Sequence, residues 1–599
     1  MLGGLLALWL AAGGLSFGLS DAEGRRHTAA DLRGSRAAVF LFIAPECPIS
    51  NGYAPELGRI HDEYGPRGVL IFAVHADPRV TAETARRHAR EFSLPFPVLL
   101  DPAQSLARRA GATVTPEAAV FSPDGVLLYR GRVDDRVAGF GKERPAPQRR
   151  DLRVALDEIL AGRPVSQPFA KAIGCAIPFP APAAAGMAAP TFARDVAPIL
   201  YRRCAACHRP GSAAPFPLLS YGDAAPRAGL IAQVTGDRYM PPWLPAPGYG
   251  KFAGERRLAD AEIATLRRWA DAGAPSGDLA QTPPAPHFPT GWQLGQPDVV
   301  AEMRQPYAVP AEGPDRYQCF AVPLAAAGDR YVRAMEIRPG EPRAVHHVVL
   351  FQDITGTARR RDSGAGYECF GTPGFLPARG LGGWTPGGLP LRLPAGMPQT
   401  LYRGADLVLQ VHYHPTGKPA SDRTAVALYF TPTPPERTVM DIALGSNRID
   451  IPPGERAYQV TDHFTLPVDV DVLGIIPHAH YICREMKGWA VLPGGARRWL
   501  IRIPEWNFNW QEQYHYAAPI PLPAGTTLQM EYTYDNSDAN PRNPSHPPRR
   551  VVWGPGSEDE MAGLHIQAVP RRAEDQEELG RALWGKMIRA IGGGVAKPR

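Results

Sequence analysis

Of the 16 histidines in this 599-residue chain, ten lie between residues 292 and 570, and they come in patterns. "AVHHVVLFQ" carries His346 and His347, "LQVHYHPTG" carries His412 and His414, and "IIPHAHYICREM" carries His478 and His480. Neutral imidazole is a common metal ligand. All three stretches alternate apolar and polar residues as strands do, so a His-x-His pair projects from one face and can chelate. Adjacent histidines point to opposite faces, so His346 and His347 reach one metal only where the strand bends or twists. Imidazoles joined by a thioether suit copper, which cycles between Cu(II) and Cu(I). One thioether stands close along the chain: Met486, six residues past His480. Taken alone, His412 and His414 read as a chelating pair.

A second chemistry sits upstream. "CAACH" at 204–208 is C-x-x-C-H. Two thiols on one helical turn can form thioether links to haem vinyls, with the adjacent imidazole as an axial iron ligand. A redox C-x-x-C would follow a strand and need no histidine; this one ends the helical run "ARDVAPILYRRC". A zinc site would need a second ligand pair, and residues 191–275 hold no further Cys or His. Met240, in "GDRYMPPWLP", is the methionine placed to be the sixth iron ligand. A third chemistry is thiol-based. Cys47, in "APECPISNGYAPEL", follows an apolar run at a point where a helix N-terminus would lower a thiol pKa.

The elements that position these residues fall into three blocks. "AVFLFI" (38–43) and "GVLIFAVHA" (68–76) are buried-strand runs, "TAETARRHAREF" (81–92) is helical, and "AAVFSPDGVLLYRGR" (118–132) is two strands around a Pro-Asp-Gly turn. That is a sheet with crossover helices. The second block is helical and closes with "LADAEIATLRRWADAGAP", whose Ile263, Leu266, Trp269 and Ala270 form an apolar stripe ending at Gly273. The third block reads as short alternating strands with Gly/Pro turns, hence all-β, as two sandwiches or jelly rolls dividing near residues 430–450. Hydrophobic residues make up 44% and charged residues 21%, so the chain is globular, and a net charge of +6 with no long basic run gives no argument for nucleic acid. The N-terminal "MLGGLLALWLAAGG" is too short to span a bilayer and reads as a secretory signal segment without a basic start. Beyond that possible signal anchor no transmembrane segment is expected.

Three resemblances follow. Residues 15–165 resemble the thioredoxin-like redoxins, with Thr115–Pro116 matching that family's cis-proline loop against the reactive cysteine. The family's C-x-x-C is here Cys47-Pro-Ile-Ser50, so a partner thiol must come from elsewhere, and Cys175 is the nearby candidate. Residues 191–275 resemble a small class I cytochrome c, which implies haem on Cys204, Cys207, His208 and Met240. The order HH, Q-V-H-Y, H-x-H, S-x-D-E-M over residues 300–568 resembles the copper type II, ascorbate-dependent monooxygenases, among them peptidylglycine alpha-hydroxylating and dopamine beta-monooxygenases. That resemblance implies two coppers on two jelly rolls facing a solvent-filled cleft. His346, His347 and His412 would bind the electron-transfer copper. His478, His480 and Met561 would bind the copper where O2 is activated, and Ser557, Asp559 and Glu560 supply the context that favours Met561 over Met486. His414 then has no counterpart among the ligands. The match departs where substrate is held. Ile476 replaces an arginine that binds a substrate carboxylate in the peptide-hydroxylating branch, and Gly563 and His565 replace an Asn and a Tyr.

The expected organisation is a signal segment (1–16), a redoxin domain (17–165), a Pro/Ala-rich linker (166–190), a cytochrome c domain (191–277), a linker (278–295), two copper-binding jelly rolls (296–435 and 436–570) and a helical tail (571–599). The expected function is copper-dependent hydroxylation of a small-molecule or peptide-like substrate with O2, electrons being relayed from an external donor (ascorbate or a redox protein) through the haem. The alternative keeps the metals for electron transfer, copper handling or thiol redox work without hydroxylation. Covalent haem implies a periplasmic or secreted location, where disulfides among Cys319, Cys369 and Cys483 are permitted.

Overall fold

The computed structural model describes residues 15–592 except 145, 180–188, 325–327, 370–371, 376, 378, 555 and 557. The chain divides into two compact units, one of residues 1–140, 147–182 and 416–418, the other of the remainder.

The first unit is built on a six-stranded sheet in the order Phe169–Ala170, Leu127–Gly131, Glu117–Phe121, Ala37–Phe42, Val69–His75, Val98–Leu100. The central strand Ala37–Phe42 is buried at every position, because it is covered on both faces. Ala37, Val39 and Leu41 join one core with helices Ala54–Tyr64 and Asp151–Leu160, while Ala38, Phe40 and Phe42 join the other with helix Ser105–Ala110. Two boundaries differ from expectation. Leu15 is buried in this core and its amide bonds Gly125 O, so at least residues 15–16 of the segment read as a signal belong to the domain. Residues 1–14 lie outside the described residues. The stretch read as a linker from residue 166 contributes strands Phe169–Ala170 and Cys175–Ala176. Two-residue strands carry no periodicity, so the Pro/Ala composition masked them.

In the second unit the helical block runs from Phe192 to Asp271. Phe192, Val196 and Leu200 pack against Leu266 and Trp269, so its first and last helices share one apolar seam. Two β-sandwiches follow. In the first, strands Val299–Glu302, Ala425–Thr431, Arg330–Arg338 and Leu391–Arg392 face the sheet Tyr367–Glu368, Arg316–Pro323, Asp406–Tyr413, Val345–Asp353, Arg379–Trp384 across a shared core. In the second, Met440–Gly445, Gly563–Pro570, Val470–His478 and Tyr514–Leu522 face Tyr458–Thr465, Thr527–Tyr534, Cys483–Val491 and Arg497–Ile503. Of the three cysteines here, Cys319 and Cys369 form a disulfide and Cys483 is a free, buried thiol. Helix Gln576–Gly592 follows the last strand. No helix among the described residues is long and apolar enough to cross a membrane.

Candidate functional site

His347 and His412 face each other on neighbouring strands of the first sandwich. His346 joins them because the strand is bulged: the pairing register slips between Val345 and His347, which turns two adjacent side chains toward one spot. One ring nitrogen from each of the three lies within 4.8 Å of the others. His346 Nδ1 and His347 Nδ1 are 3.1 Å apart. The outer nitrogens show how the rings are held. His412 Nε2–H donates to Asp315 Oδ2 (2.7 Å), and His346 Nε2–H donates to the Asn509 carbonyl (2.9 Å). Tyr317 stacks on the His412 ring at 4.1 Å. These partners leave His412 Nδ1 buried with no hydrogen bond at all. A buried, unpaired nitrogen is costly unless something binds it, and a carboxylate behind the opposite nitrogen is the usual support of a metal-bound imidazole. The donor set fits a transition metal. Burial holds His346 neutral, its pKa down to about 3, and pushes His347 and His412 down as well. Burial opposes the charge on Asp315, but hydrogen bonds from His412 and His414 outweigh it and keep the carboxyl far below its usual range.

His414 does not enter the cluster. It is half-exposed, and its Nδ1 bonds the other oxygen of Asp315 (2.8 Å). It buttresses the carboxylate that orients His412.

The second sandwich holds His478 at a strand end and His480 just beyond, with ring centroids 5.3 Å apart. His478 Nδ1–H donates to Gln511 Oε1 (2.7 Å) and His480 Nδ1–H to the Asp559 carbonyl (3.0 Å), so each keeps Nε2 for a ligand. Burial lowers the two imidazoles to about 4 and about 3. Glu560 is fully buried and accepts from the amides of His480 (2.9 Å), Ile482 (2.9 Å) and Met561 (3.1 Å). One carboxylate thereby stitches the Met561 segment to the histidine turn. Its burial outweighs those bonds and raises its pKa to about 8. The rival thioether, Met486, is fully buried in the sandwich core. Ser557 lies outside the described residues.

One aromatic ring lies beside both clusters. Phe508, 3% exposed, has its ring 6.5 Å from that of His412 and 5.7 Å from that of His480. It belongs to the run Trp506–Tyr514, which also supplies Asn509 to His346 and Gln511 to His478. The same run reaches the helical block, where Glu512 pairs with Arg256 (2.7 Å) and Tyr514 meets Trp243 edge-on. Sequence reasoning missed Asp315, Phe508, Asn509 and Gln511; each is an ordinary loop residue until the fold brings it to a histidine.

In the helical block, Cys204, Cys207 and His208 occupy one turn, with the Cys207 and His208 amides bonding Cys204 O. Both thiols are free. His208 Nδ1–H donates to Phe216 O (3.0 Å), leaving Nε2 to face a ligand, as an axial imidazole requires. Met240 is half-buried just after helix Ala228–Gly236, its amide bonding Val234 O. The C-x-x-C-H turn lies against the first sandwich: Gly387 (φ +80°) has no room for a Cβ because Cys207 Sγ stands there. Gly387 is three residues from Trp384, which pairs with Val348 next to His347. In the other unit, Cys47 is 2% exposed at the start of helix Pro48–Gly52, and its thiol donates to Thr115 O (3.1 Å), before a cis Thr115–Pro116 bond.

Residues 14–130 match the model of the AhpC/TSA family. Over 111 residues, 18% of this chain and 61% of the relative, the chain is 31% identical to thiol-disulfide oxidoreductase ResA of Geobacillus thermodenitrificans. Over 282 residues, 42% of this chain and 44% of the relative, it is 24% identical to DBH-like monooxygenase protein 1 of Gallus gallus. It thus spans less than two thirds of the length of either relative. A solved hypothetical protein of Sinorhizobium meliloti aligns over 30% of this chain and 97% of its own, with 29% identity and a TM-score of 0.26. The chain therefore carries an N-terminal thioredoxin-like domain of the AhpC/TSA kind and, over a separate comparison, similarity to a DBH-like monooxygenase.

Proposed function

We propose that this chain is a copper-dependent monooxygenase that hydroxylates an organic substrate with O2, with a c-type haem in its helical block as the point of electron entry, and that it works in the periplasm or outside the cell. The observation that carries the reading is the His346–His347–His412 cluster, where His412 Nδ1 is buried without a hydrogen bond among the converging ring nitrogens while the outer nitrogens of His412 and His346 are tied to Asp315 and Asn509. The similarity to a DBH-like monooxygenase supports it.

His346, His347 and His412 hold one copper, and His478, His480 and Met561 hold the other, each on its own sandwich of the jelly-roll kind. Cys204, Cys207, His208 and Met240 hold the haem. When bound, these groups supply dioxygen activation at the second cluster and single-electron transfer at the first cluster and the haem. The remaining chemistry belongs to the protein. Asp315 and Asn509 fix the tautomers of His412 and His346, and Gln511 and the Asp559 carbonyl do the same for His478 and His480. Glu560 keeps Met561 beside His480. Phe508 excludes water from the space between the clusters, which protects a reactive site from side reactions. Ile476, in register with His565 two pairs from His478–Gly563, offers no cation to a substrate carboxylate. A glycine-extended peptide is therefore a poor substrate. The external donor is ascorbate or a redox protein.

Metal analysis with a haem spectrum of the full chain tests this reading. We expect two coppers and one c-type haem per chain, and substrate-dependent O2 uptake that Met561→Ala abolishes while the haem spectrum stays intact. Uptake indifferent to Met561→Ala would overturn it in favour of an electron-transfer or copper-handling protein.

A further inference from the structure

Cys47 is not paired through C-x-x-C, yet it is not alone. Strand Cys175–Ala176 runs antiparallel to Val114–Thr115 and sets Cys175 directly opposite Thr115, the residue whose carbonyl accepts from the Cys47 thiol. Both cysteines thus meet at Thr115, Cys47 through its thiol and Cys175 through strand pairing. Three further contacts hold the strand there: Thr115 Oγ1 donates to Cys175 O (3.4 Å), Ile177 N donates to Thr113 O (2.9 Å), and Gly174 lets the backbone come close. A Cβ at Gly174 would collide with the Thr115 carbonyl, so the approach depends on glycine at that position. Both sulfurs are free, and both belong to the same compact unit.

We propose that Cys47 and Cys175 form a dithiol–disulfide pair that reduces disulfides, an activity separate from the copper and haem sites. The pair is asymmetric. Burial disfavours a Cys47 thiolate, but hydrogen bonds from the Cys175 thiol, the Ser50 amide and the Cys175 amide outweigh it and bring Cys47 to about 7. The hydrogen bond to Cys47 and its own burial push Cys175 well above the usual thiol range. Cys47 is thus the attacking thiolate and Cys175 the resolving thiol. A thiol with a pKa near ambient pH attacks disulfides best.

The exchange balances. Cys47 thiolate attacks one sulfur of a substrate disulfide, forming a Cys47–substrate bond and breaking the substrate S–S bond. The first substrate thiolate leaves and takes the proton that Cys47 gave up. Cys175, losing its proton to the second leaving thiolate, attacks Cys47 Sγ, so the Cys47–Cys175 disulfide forms and both substrate thiols are released. The substrate gains two electrons and the pair loses two. A dithiol reductant returns the pair to its reduced state and becomes a disulfide in turn.

The test uses the haem-loaded full chain, reduced and then exposed to glutathione disulfide or to insulin. Peptide mapping after alkylation should show a new Cys47–Cys175 disulfide, and insulin reduction in the presence of a dithiol should fall at least tenfold in Cys47→Ser and in Cys175→Ser. Cys175→Ser, close in size to the native residue, should accumulate glutathione on Cys47, whereas Cys47→Ser should accumulate none on Cys175. Alkylation of Cys47 should rise with pH around a midpoint near 7, and the midpoint should move upward in Cys175→Ala because a side-chain donor to the thiolate is lost. Copper removal should change none of this. Insulin reduction unchanged in Cys175→Ser would overturn the proposal. So would hydrogen peroxide oxidising Cys47 while glutathione disulfide leaves both thiols free, a result that marks a peroxidase instead.

Discussion

The two histidine clusters use the same residue type and hold it by opposite means. In the first sandwich a charged side chain does the holding: Asp315, 97 residues before His412, grips its outer nitrogen. In the second the outer nitrogens meet neutral acceptors, the Gln511 amide and the Asp559 carbonyl, and the buried carboxylate Glu560 grips the backbone instead of a ring. A carboxylate partner makes an imidazole a stronger electron donor than a carbonyl does. On the proposed reading, the first site would hold its metal more firmly than the second. Phe508, wedged between them, makes the pair one assembly.

The sharpest way to break this comparison is His412→Ala. It removes a ligand from the first cluster alone, so metal analysis should show a loss of about one copper per chain, and activity should fall by more than about 100-fold. Loss of both coppers would mean that the clusters are not separate sites. Glu560→Ala attacks the second cluster through the backbone. It leaves three buried amides unsatisfied, at a cost of about 3–5 kcal/mol, and calorimetry should show the melting temperature of this unit lowered by roughly 10 °C. Asp315→Asn should weaken copper at the first site by about 10–100-fold and leave the second unchanged, as competition with a chelator would report. Gln511→Leu should do the reverse with a smaller effect, about tenfold, since a neutral acceptor is lost. The smallest effect belongs to His414→Ala. The His414 ring bonds Asp315 from outside the cluster and is half-exposed, so copper affinity should change by less than about threefold; a loss equal to that of His412→Ala would restore the chelating pair that "HYH" suggests on its own.

Much of the fold was legible in the chain because alternation and length are local. The strands at Ala37–Phe42, Val69–His75 and Glu117–Phe121 and the helix Ala82–Glu91 stand where the apolar runs and helical spacing put them. The strands hidden in the Pro/Ala-rich stretch are not legible, since two residues show no period; the sequence offers Cys175 as a candidate partner thiol but not its pairing with the Thr115 loop. At the histidines, spacing alone set His346 and His347 on opposite faces of a regular strand. The bulge that turns them together is a property of pairing with the neighbouring strand, not of the stretch itself.

By itself, then, the sequence determined the inventory: six imidazoles and two thioethers in four short motifs, a C-x-x-C-H turn after a helical run, a single thiol after the first buried strand, and the alternating pattern that makes the last half of the chain sandwiches. Only the tertiary structure decided which of these meet and what holds them. Asp315 reaches His412, Asn509 reaches His346 across 163 residues, Glu560 reaches His480 across 80, and Cys175 reaches the Thr115 loop that holds Cys47. The physical reason is that residue type and local spacing are written along the chain. Convergence of distant side chains follows instead from how strands register and cores pack, and those interactions are summed over the whole fold.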